Sequence, residues 1–308
     1  MRILVLGGGG FIGINLCRRL RAIGYEVIGF GHPPRFPEAV SGISWIEGDI
    51  SDAGLVGQAI KDVDCVVHMA CSSTPVTSDE APALDIERNL VPSIRLLEAM
   101  ADRGPKKIVF LSSGGTVYGA SAAVPAREST LPEPSCSYGV VKLAIEKYLQ
   151  LFRERHGIEY ASLRVSNPYG PYQLVTRQQG VIASFISKAV EGQEIEIWGD
   201  GSAERDFLFI DDVVDAIVLS IARMSGGRIL NIGSGEGRSI SSVLRAIEKV
   251  HGRPLNTSFV TGKFVGVPRS VLDISKARAA LGWTPATEWQ SGIEQTYEWV
   301  AQTSSTQS

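Results

Sequence analysis

The sequence predicts an α/β protein, a doubly wound parallel sheet carrying a smaller, discontinuous α/β substrate-binding lobe. Three observations lead there. Short apolar runs alternate with longer segments of helical period through the first half of the chain; a glycine-rich turn directly follows the first run; and 44% of the 308 residues are apolar, enough to fill one large core. Runs without alternating polarity are what a parallel sheet demands, because crossover helices cover both of its faces.

In chain order, strands are expected at 3–6, 26–30, 44–50, 65–69, 107–111 and 160–164, and crossover helices at 12–23, 54–60, 85–103 and 138–156. Each helix can carry the chain back over the sheet in the right-handed sense. After Arg164 the alternation breaks at Asn167-Pro168-Tyr169-Gly170-Pro171 and Trp198-Gly199-Asp200-Gly201, so a second lobe is expected to begin there. Residues 229–232 read as a strand returning to the sheet, 239–251 as a helix and 291–301 as a closing amphipathic helix. The expected division is 1–165 with 207–235 as the sheet domain, 166–206 and 236–302 as the second lobe, and a frayed polar tail at 303–308.

Thirty basic and 33 acidic side chains give a formal charge of -3, leaving no field that would draw the protein to nucleic acid or an anionic membrane. No apolar run reaches the roughly 18 to 20 residues that span a bilayer, and the chain opens directly on a strand, which argues for a cytoplasmic protein. Cys17, Cys65, Cys71 and Cys136 lack the short spacing of a zinc site or redox pair and read as reduced thiols; no metal is expected.

Gly7, Gly10 and Gly13 form GxxGxxG directly after the first strand, and Phe11-Ile12 open the helix that follows. Backbone N–H groups and the positive helix end can then face a pyrophosphate, the Rossmann-type dinucleotide arrangement. At the end of the second strand, where a carboxylate is expected to accept from the ribose 2′-hydroxyl, the sequence reads Phe30-Gly31-His32-Pro33-Pro34-Arg35. Without that carboxylate, His32 and Arg35 could favour a 2′-phosphate, hence NADP in place of NAD, or Arg35 could be a solvated turn residue. Asp49, with Ile50 beside it, is placed where a third strand would deliver a side chain to the adenine; a surface turn is the competing account.

Tyr138-Gly139-Val140-Val141-Lys142 puts a phenol and an ammonium on one face of a helix, one turn apart. A cation and the charge of an oxidised nicotinamide would lower the phenol's pKa, so that it takes a proton from a substrate hydroxyl as hydride leaves the same carbon. An amphipathic surface pair is the plain alternative.

With these stand Val67-His68-Met69-Ala70, Asn89, Ser112-Ser113 through Val117-Tyr118-Gly119, Asn167 to Pro171, Arg205-Asp206-Phe207 and Leu281-Gly282-Trp283 with Pro285. Together they resemble the extended short-chain dehydrogenase/reductases over nearly the whole chain, and within them the nucleotide-sugar epimerases and dehydratases. The resemblance implies that Tyr138 is the base and Lys142 its partner. It further implies cofactor contacts at Met69, Ala70 and Ser112, a buttressing role for Asn89, and Asn167 and Arg205 on the phosphates of a UDP- or other nucleotide-linked hexose. It also implies a homodimer through the two long helices at 85–103 and 138–156. Outside the resemblance, Arg205 and Asp206 read as a local ion pair and Asn89 as a buried, hydrogen-bonded amide.

The departures matter as much. The position three before Val117, usually Ser or Thr in the family, is Gly114; Ser113 or Thr116 could supply the missing hydroxyl, Thr116 by preference, as could water, and Thr116 could also merely close a turn. Related 4,6-dehydratases carry an Asp-Glu pair where this chain has Gly115 and Thr116, which argues against dehydration. Where the family often has Arg and, three residues on, Asp, this chain has Lys263 and Gly266, and a lysine cannot reproduce a bidentate phosphate contact. The expected activity is a nucleotide-sugar 4-epimerase-like reaction with bound NAD, with an NADPH-dependent 4-keto-6-deoxy-sugar reductase as alternative and a silent dinucleotide-binding sensor more distant.

Overall fold

A computed structural model describes residues 1–120, 122–174, 180–260 and 267–306. Its seven-stranded sheet contains β1 (Arg2–Leu6), β2 (Glu26–Gly31), β3 (Ser44–Glu47), β4 (Cys65–His68), β5 (Lys107–Ser113), β6 (Glu159–Val165) and the strand Gly227–Ile232. All neighbours are parallel, in the order Gly227–Ile232, β6, β5, β4, β1, β2, β3. From β1 the chain winds outward one way to β3, then from β4 the other way, which opens a crevice at the carboxyl ends of β1 and β4.

Ile3, Leu4, Val5 and Leu6 are all 0% exposed, which explains their unbroken apolar run. Ile3 and Val5 pack with Leu16 and Leu20 of α1 (Phe11–Ala22); Leu4 and Leu6 pack with Leu96, Leu97 and Met100 of the helix Val91–Arg103 and with Ile145 and Leu149 of the helix Ser137–His156. At about 1.5–3 kcal/mol for each fully buried side chain, this two-sided packing fixes the central strands whose ends carry the site. Among the described residues, no helix is long and apolar enough to cross a membrane, and all four cysteines are free.

The elements differ from expectation at four places. The strand expected to 50 stops at Glu47, because Asp49 turns its carboxylate onto the N–H of Ser51 at 2.8 Å. The helix expected from 85 starts at Pro82 and passes through a π-helical stretch, Ile86–Leu90, where Val91 N–H reaches back to the Ile86 carbonyl. Pro92 accounts for the widening: it has no N–H to donate and its ring would press on the preceding turn. At the C-terminus, the helix Trp289–Thr306 overruns the expected tail. Its end is held by the Thr303 hydroxyl, which donates to the Trp299 carbonyl at 2.5 Å, and by Trp299 packing against Phe36 and Tyr172.

The fourth difference concerns the return to the sheet. Phe207–Phe209 pairs in parallel with Asn167–Tyr169 in a separate two-stranded sheet, and only Gly227–Ile232 rejoins the large one. The remaining small strands form a three-stranded sheet, Arg238–Ser239, Glu204–Arg205 and Arg269–Ser270, and a pair, Ile195–Trp198 with Thr257–Val260. Asp206, 1% exposed, ties these parts together. Its carboxylate accepts from Ser234 N–H (2.6 Å) and Oγ (2.7 Å), Gly235 N–H (3.3 Å) and Leu272 N–H (3.2 Å), so it is a backbone bracket and not half of a loop ion pair with Arg205.

Candidate active site

The glycine turn is shaped for close approach. Gly7 has φ +86°, which L side chains avoid, and its N–H donates to the Phe30 carbonyl at 2.9 Å. A Cβ there would lie 2.9 Å from the Ala70 nitrogen, so the Met69–Ala70 backbone crosses directly over the turn. A Cβ on Gly13 would meet the Gly7 carbonyl oxygen at 2.3 Å; α1 therefore packs against the turn with no room for a side chain. Gly10 caps α1 in extended conformation without a side-chain bond, and the first turn, opened by Phe11 and Ile12, holds no acidic residue. An uncapped, positive helix end beside a backbone cradle suits a pyrophosphate.

Gly31 has φ +139°, a conformation essentially reserved for glycine, so the backbone itself would strain against the carboxylate expected there. The His32 carbonyl would stand 3.1 Å from a Cβ on Gly9, which folds the following turn over the glycines, while the His32 and Arg35 side chains are exposed. Asp49 is exposed too; hydrogen bonds from Ser51 hold its carboxyl below the usual range, with His32 and Arg88 adding to the effect. Ile50 follows it in the turn, part-buried.

Tyr138 and Lys142 occupy the first turns of the helix Ser137–His156, against the end of β5. Lys142 is 4% exposed; its Nζ donates to the Leu111 carbonyl at 2.9 Å and lies 4.9 Å from the Phe110 ring centre and 5.4 Å from that of Tyr138. This is not a solvated surface pair. Burial, followed by the neighbouring Cys71, Cys136 and Asp85, holds the Tyr138 phenol above its ordinary range. The loop after β5 is pressed onto the same helix, since a Cβ on Gly139 would meet the Thr116 carbonyl at 2.9 Å. Ser113 closes that loop by accepting from the N–H groups of Thr116 (3.5 Å) and Val117 (3.2 Å).

Among the described residues, several buried polar atoms at or just past the carboxyl ends of the strands lack a partner: Ser112 Oγ at the end of β5, Thr116 Oγ1 in the loop after it, Ser166 Oγ just past β6, and His68 Nδ1 at the end of β4. Buried hydroxyls are normally bonded, so this row of unsatisfied groups at the strand ends fits a polar ligand. With the glycine cradle, the residues present fit a dinucleotide and a second polar molecule beside Thr116.

Gly114 shows why a hydroxyl is missing from its slot. A Cβ there would lie 2.5 Å from Leu272 Cδ1 and 3.0 Å from the Arg164 carbonyl oxygen. Leu272 fills the space, and Asp206 holds Leu272 by its N–H.

Asn89, 6% exposed, is fully engaged: its Oδ1 accepts from Ser72 N–H (2.8 Å) and Oγ (3.2 Å), and its Nδ2 donates to Asp85 Oδ1 (2.8 Å), the Asp85 carbonyl (3.2 Å) and Ser73 Oγ (3.2 Å). It thus braces the loop after β4 against the π-helical turn. Ser93 links Asn89 to His68. Ser93 Oγ gives its one proton to the Asn89 carbonyl at 2.6 Å, so His68 Nε2–H must donate to Ser93 Oγ at 2.8 Å.

Burial, then the charge of Lys142, pushes His68 from 6.5 down to about 3. A base whose folded pKa is depressed stabilises fully above its unfolded value and loses that contribution as pH falls toward the folded one. Between about pH 7 and pH 5 the loss should be about 2 kcal/mol, so urea unfolding at both pH values should show that much more acid destabilisation in the wild type than in His68→Gln.

Asn167 and Arg205 are drawn into one region by the pairing of Asn167 with Phe207. Asn167 Nδ2 donates to the Asp206 carbonyl at 3.0 Å. Arg205 Nη1 donates to the Glu204 carbonyl at 2.8 Å, and burial holds its guanidinium below the usual range. Lys263 and Gly266 lie outside the described residues. Sequence reasoning missed Asp85, Ser78, Ser137 and Leu272. None belongs to a motif; the one available signal was an unexplained carboxylate four residues before Asn89.

A switch-point crevice with a dinucleotide cradle, and a buried lysine beside a tyrosine at its mouth, mark a nicotinamide-dependent α/β enzyme of the short-chain dehydrogenase/reductase class. Comparison narrows this: the model of the NAD dependent epimerase/dehydratase family matches residues 3–233, and the chain belongs to that family. It is 35% identical over 306 residues to a UDP-glucose 4-epimerase of Mycolicibacterium smegmatis, covering 97% of this chain and 98% of the relative. It is 30% identical over 304 residues to a dTDP-4-dehydro-6-deoxyglucose reductase of Escherichia coli, covering 95% of each. The UDP-glucose 4-epimerase of Thermotoga maritima, solved with UDP-glucose, superposes with TM-score 0.93 at 32% identity over 98% of this chain and 99% of that one. That of Thermus thermophilus, solved with NAD, gives 0.90 at 33% identity over 97% and 99%.

Proposed function

We propose that the protein is a 4-epimerase of a nucleotide-linked hexose, with NAD as its resident hydride carrier. The observation that carries this is the placement of Thr116 Oγ1, buried and unpartnered, in a loop packed on the helix turn of Tyr138 and Lys142. Tyr138 takes the proton of the sugar C4 hydroxyl and gives it back; Thr116 donates to the same oxygen in place of the hydroxyl that Leu272 excludes from position 114. Lys142 holds its ammonium at the phenol and the nicotinamide ribose. Gly7, Gly10, Gly13, Met69 and Ala70 would hold NAD, which when bound would supply reversible hydride acceptance at C4. Asn167 and Arg205 take the diphosphate. The homodimer proposed from the two long helices has support in the exposed Leu84, Ile86 and Val140 on them.

A reductase is the second reading, favoured by the backbone at Gly31 that keeps a ribose carboxylate away and by the exposed Arg35 and His32. Coenzyme stoichiometry separates the two. The epimerase should release NAD on denaturation and interconvert UDP-glucose and its C4 epimer with no added coenzyme. Failure across UDP-hexose pairs, with NADPH consumed one for one on a 4-keto sugar nucleotide, would establish the reductase instead.

A further inference from the structure

We propose that Asp85 is a positioning residue for Tyr138, its carboxylate clamping the start of the tyrosine's helix to the π-helical turn. This rests on the reading of Tyr138 as the base. The helix Ser137–His156 has no cap of its own, since the Cys136 side chain makes no capping bond. Its first groups are instead bound from one distant segment: Asp79 Oδ1 accepts Ser137 N–H at 2.8 Å, Ser78 Oγ accepts Tyr138 N–H at 3.0 Å, and Asp85 Oδ2 accepts Ser137 Oγ at 2.8 Å. Asp85 Oδ1 in turn accepts from Ser73 Oγ at 2.6 Å and Asn89 Nδ2 at 2.8 Å. One carboxylate, 3% exposed, thus joins the loop after β4, the widened helix and the residue preceding Tyr138.

Asp85 also brings charge. The groups facing Tyr138 are Lys142 on its own helix, Cys136 at the helix start, Cys71 in the loop after β4, and Asp85; Asp79 faces Cys136. Of these, Asp85 is the carboxylate that opposes Lys142. An epimerase base must both take the C4 proton and return it. The proton is taken while the nicotinamide is still oxidised, and a phenol lowered by that charge and by Lys142, with no carboxylate to oppose them, would be a weak base toward the C4 hydroxyl.

The test is a pH titration of phenolate absorption in the NAD-bound protein, each form read as a difference from its Tyr138→Phe counterpart, with kcat measured alongside. In Asp85→Asn the Tyr138 transition should fall by about one pH unit, and kcat should drop about tenfold with KM and retained NAD unchanged. An unmoved titration overturns the proposal, because a merely structural residue would lower kcat without shifting it. The titration needs no substrate, so it stands even if the sugar reading fails. If Asp85→Asn does not fold, Ser137→Ala frees the helix start from Asp85: a Tyr138 transition lowered in the same titration, with NAD retained, supports the proposal, and an unmoved transition overturns it.

Discussion

Tyr138→Phe is expected to lower kcat for epimerisation by about 10²–10⁴-fold while NAD retention and sugar-nucleotide binding persist. The variant loses one oxygen from a ring whose position is set by backbone bonds, Tyr138 N–H to Ser78 Oγ at 3.0 Å, so geometry survives and proton transfer does not. The pH profile supplies the sign. Burial, followed by Cys71, Cys136 and Asp85, raises the phenol, and the charge of an oxidised nicotinamide would lower it, so wild-type kcat should climb with pH along an acid limb as the phenol loses its proton. In the variant that limb should vanish. Persistence of wild-type kcat would remove Tyr138 from the mechanism.

Arg164→Met is expected to cost about 3–5 kcal/mol in urea unfolding. Arg164 and Glu146 are 3% and 1% exposed, joined by Nη2 to Oε2 at 2.6 Å and Nε to Oε1 at 3.0 Å. Burial opposes the guanidinium's charge, yet the Glu146 carboxylate more than offsets it and holds the proton above the ordinary arginine range. Among the described residues, removing Arg164 leaves buried Glu146 with the Ser162 hydroxyl alone, at 3.2 Å. The double variant Glu146→Leu with Arg164→Met should recover most of the loss, because the penalty belongs to the unpaired charge. A single variant as stable as the wild type would show that water reaches Glu146.

What was legible in the sequence follows the range of the interactions. The apolar runs of β1, β4 and β5 signalled buried parallel strands because their burial depends on their own residues. The glycine turn was legible for the same reason, its reactive geometry lying between Gly7 and Gly13. Tyr138 and Lys142 share one helix turn, so their spacing alone put them on one face. Helix ends were less legible: nothing local warns that Trp299 will dock on Phe36 and Tyr172 and carry the last helix to Thr306, or that Pro92 will widen the helix before it.

By itself, then, the sequence determined the doubly wound sheet, the dinucleotide cradle and the Tyr–Lys pair, all set by periodicity and spacing within a few residues. Tertiary structure alone decided that Gly114 is packed by Leu272, that Asp206 is a bracket and not an ion-pair partner, and that Asp85 reaches the tyrosine helix. Those contacts join residues 66 (Asp206 to Leu272) and 52 (Asp85 to Ser137) apart in the chain. Their energies come from burial and from hydrogen bonds that satisfy the polar groups it covers, which exist only once the strands have brought distant segments together.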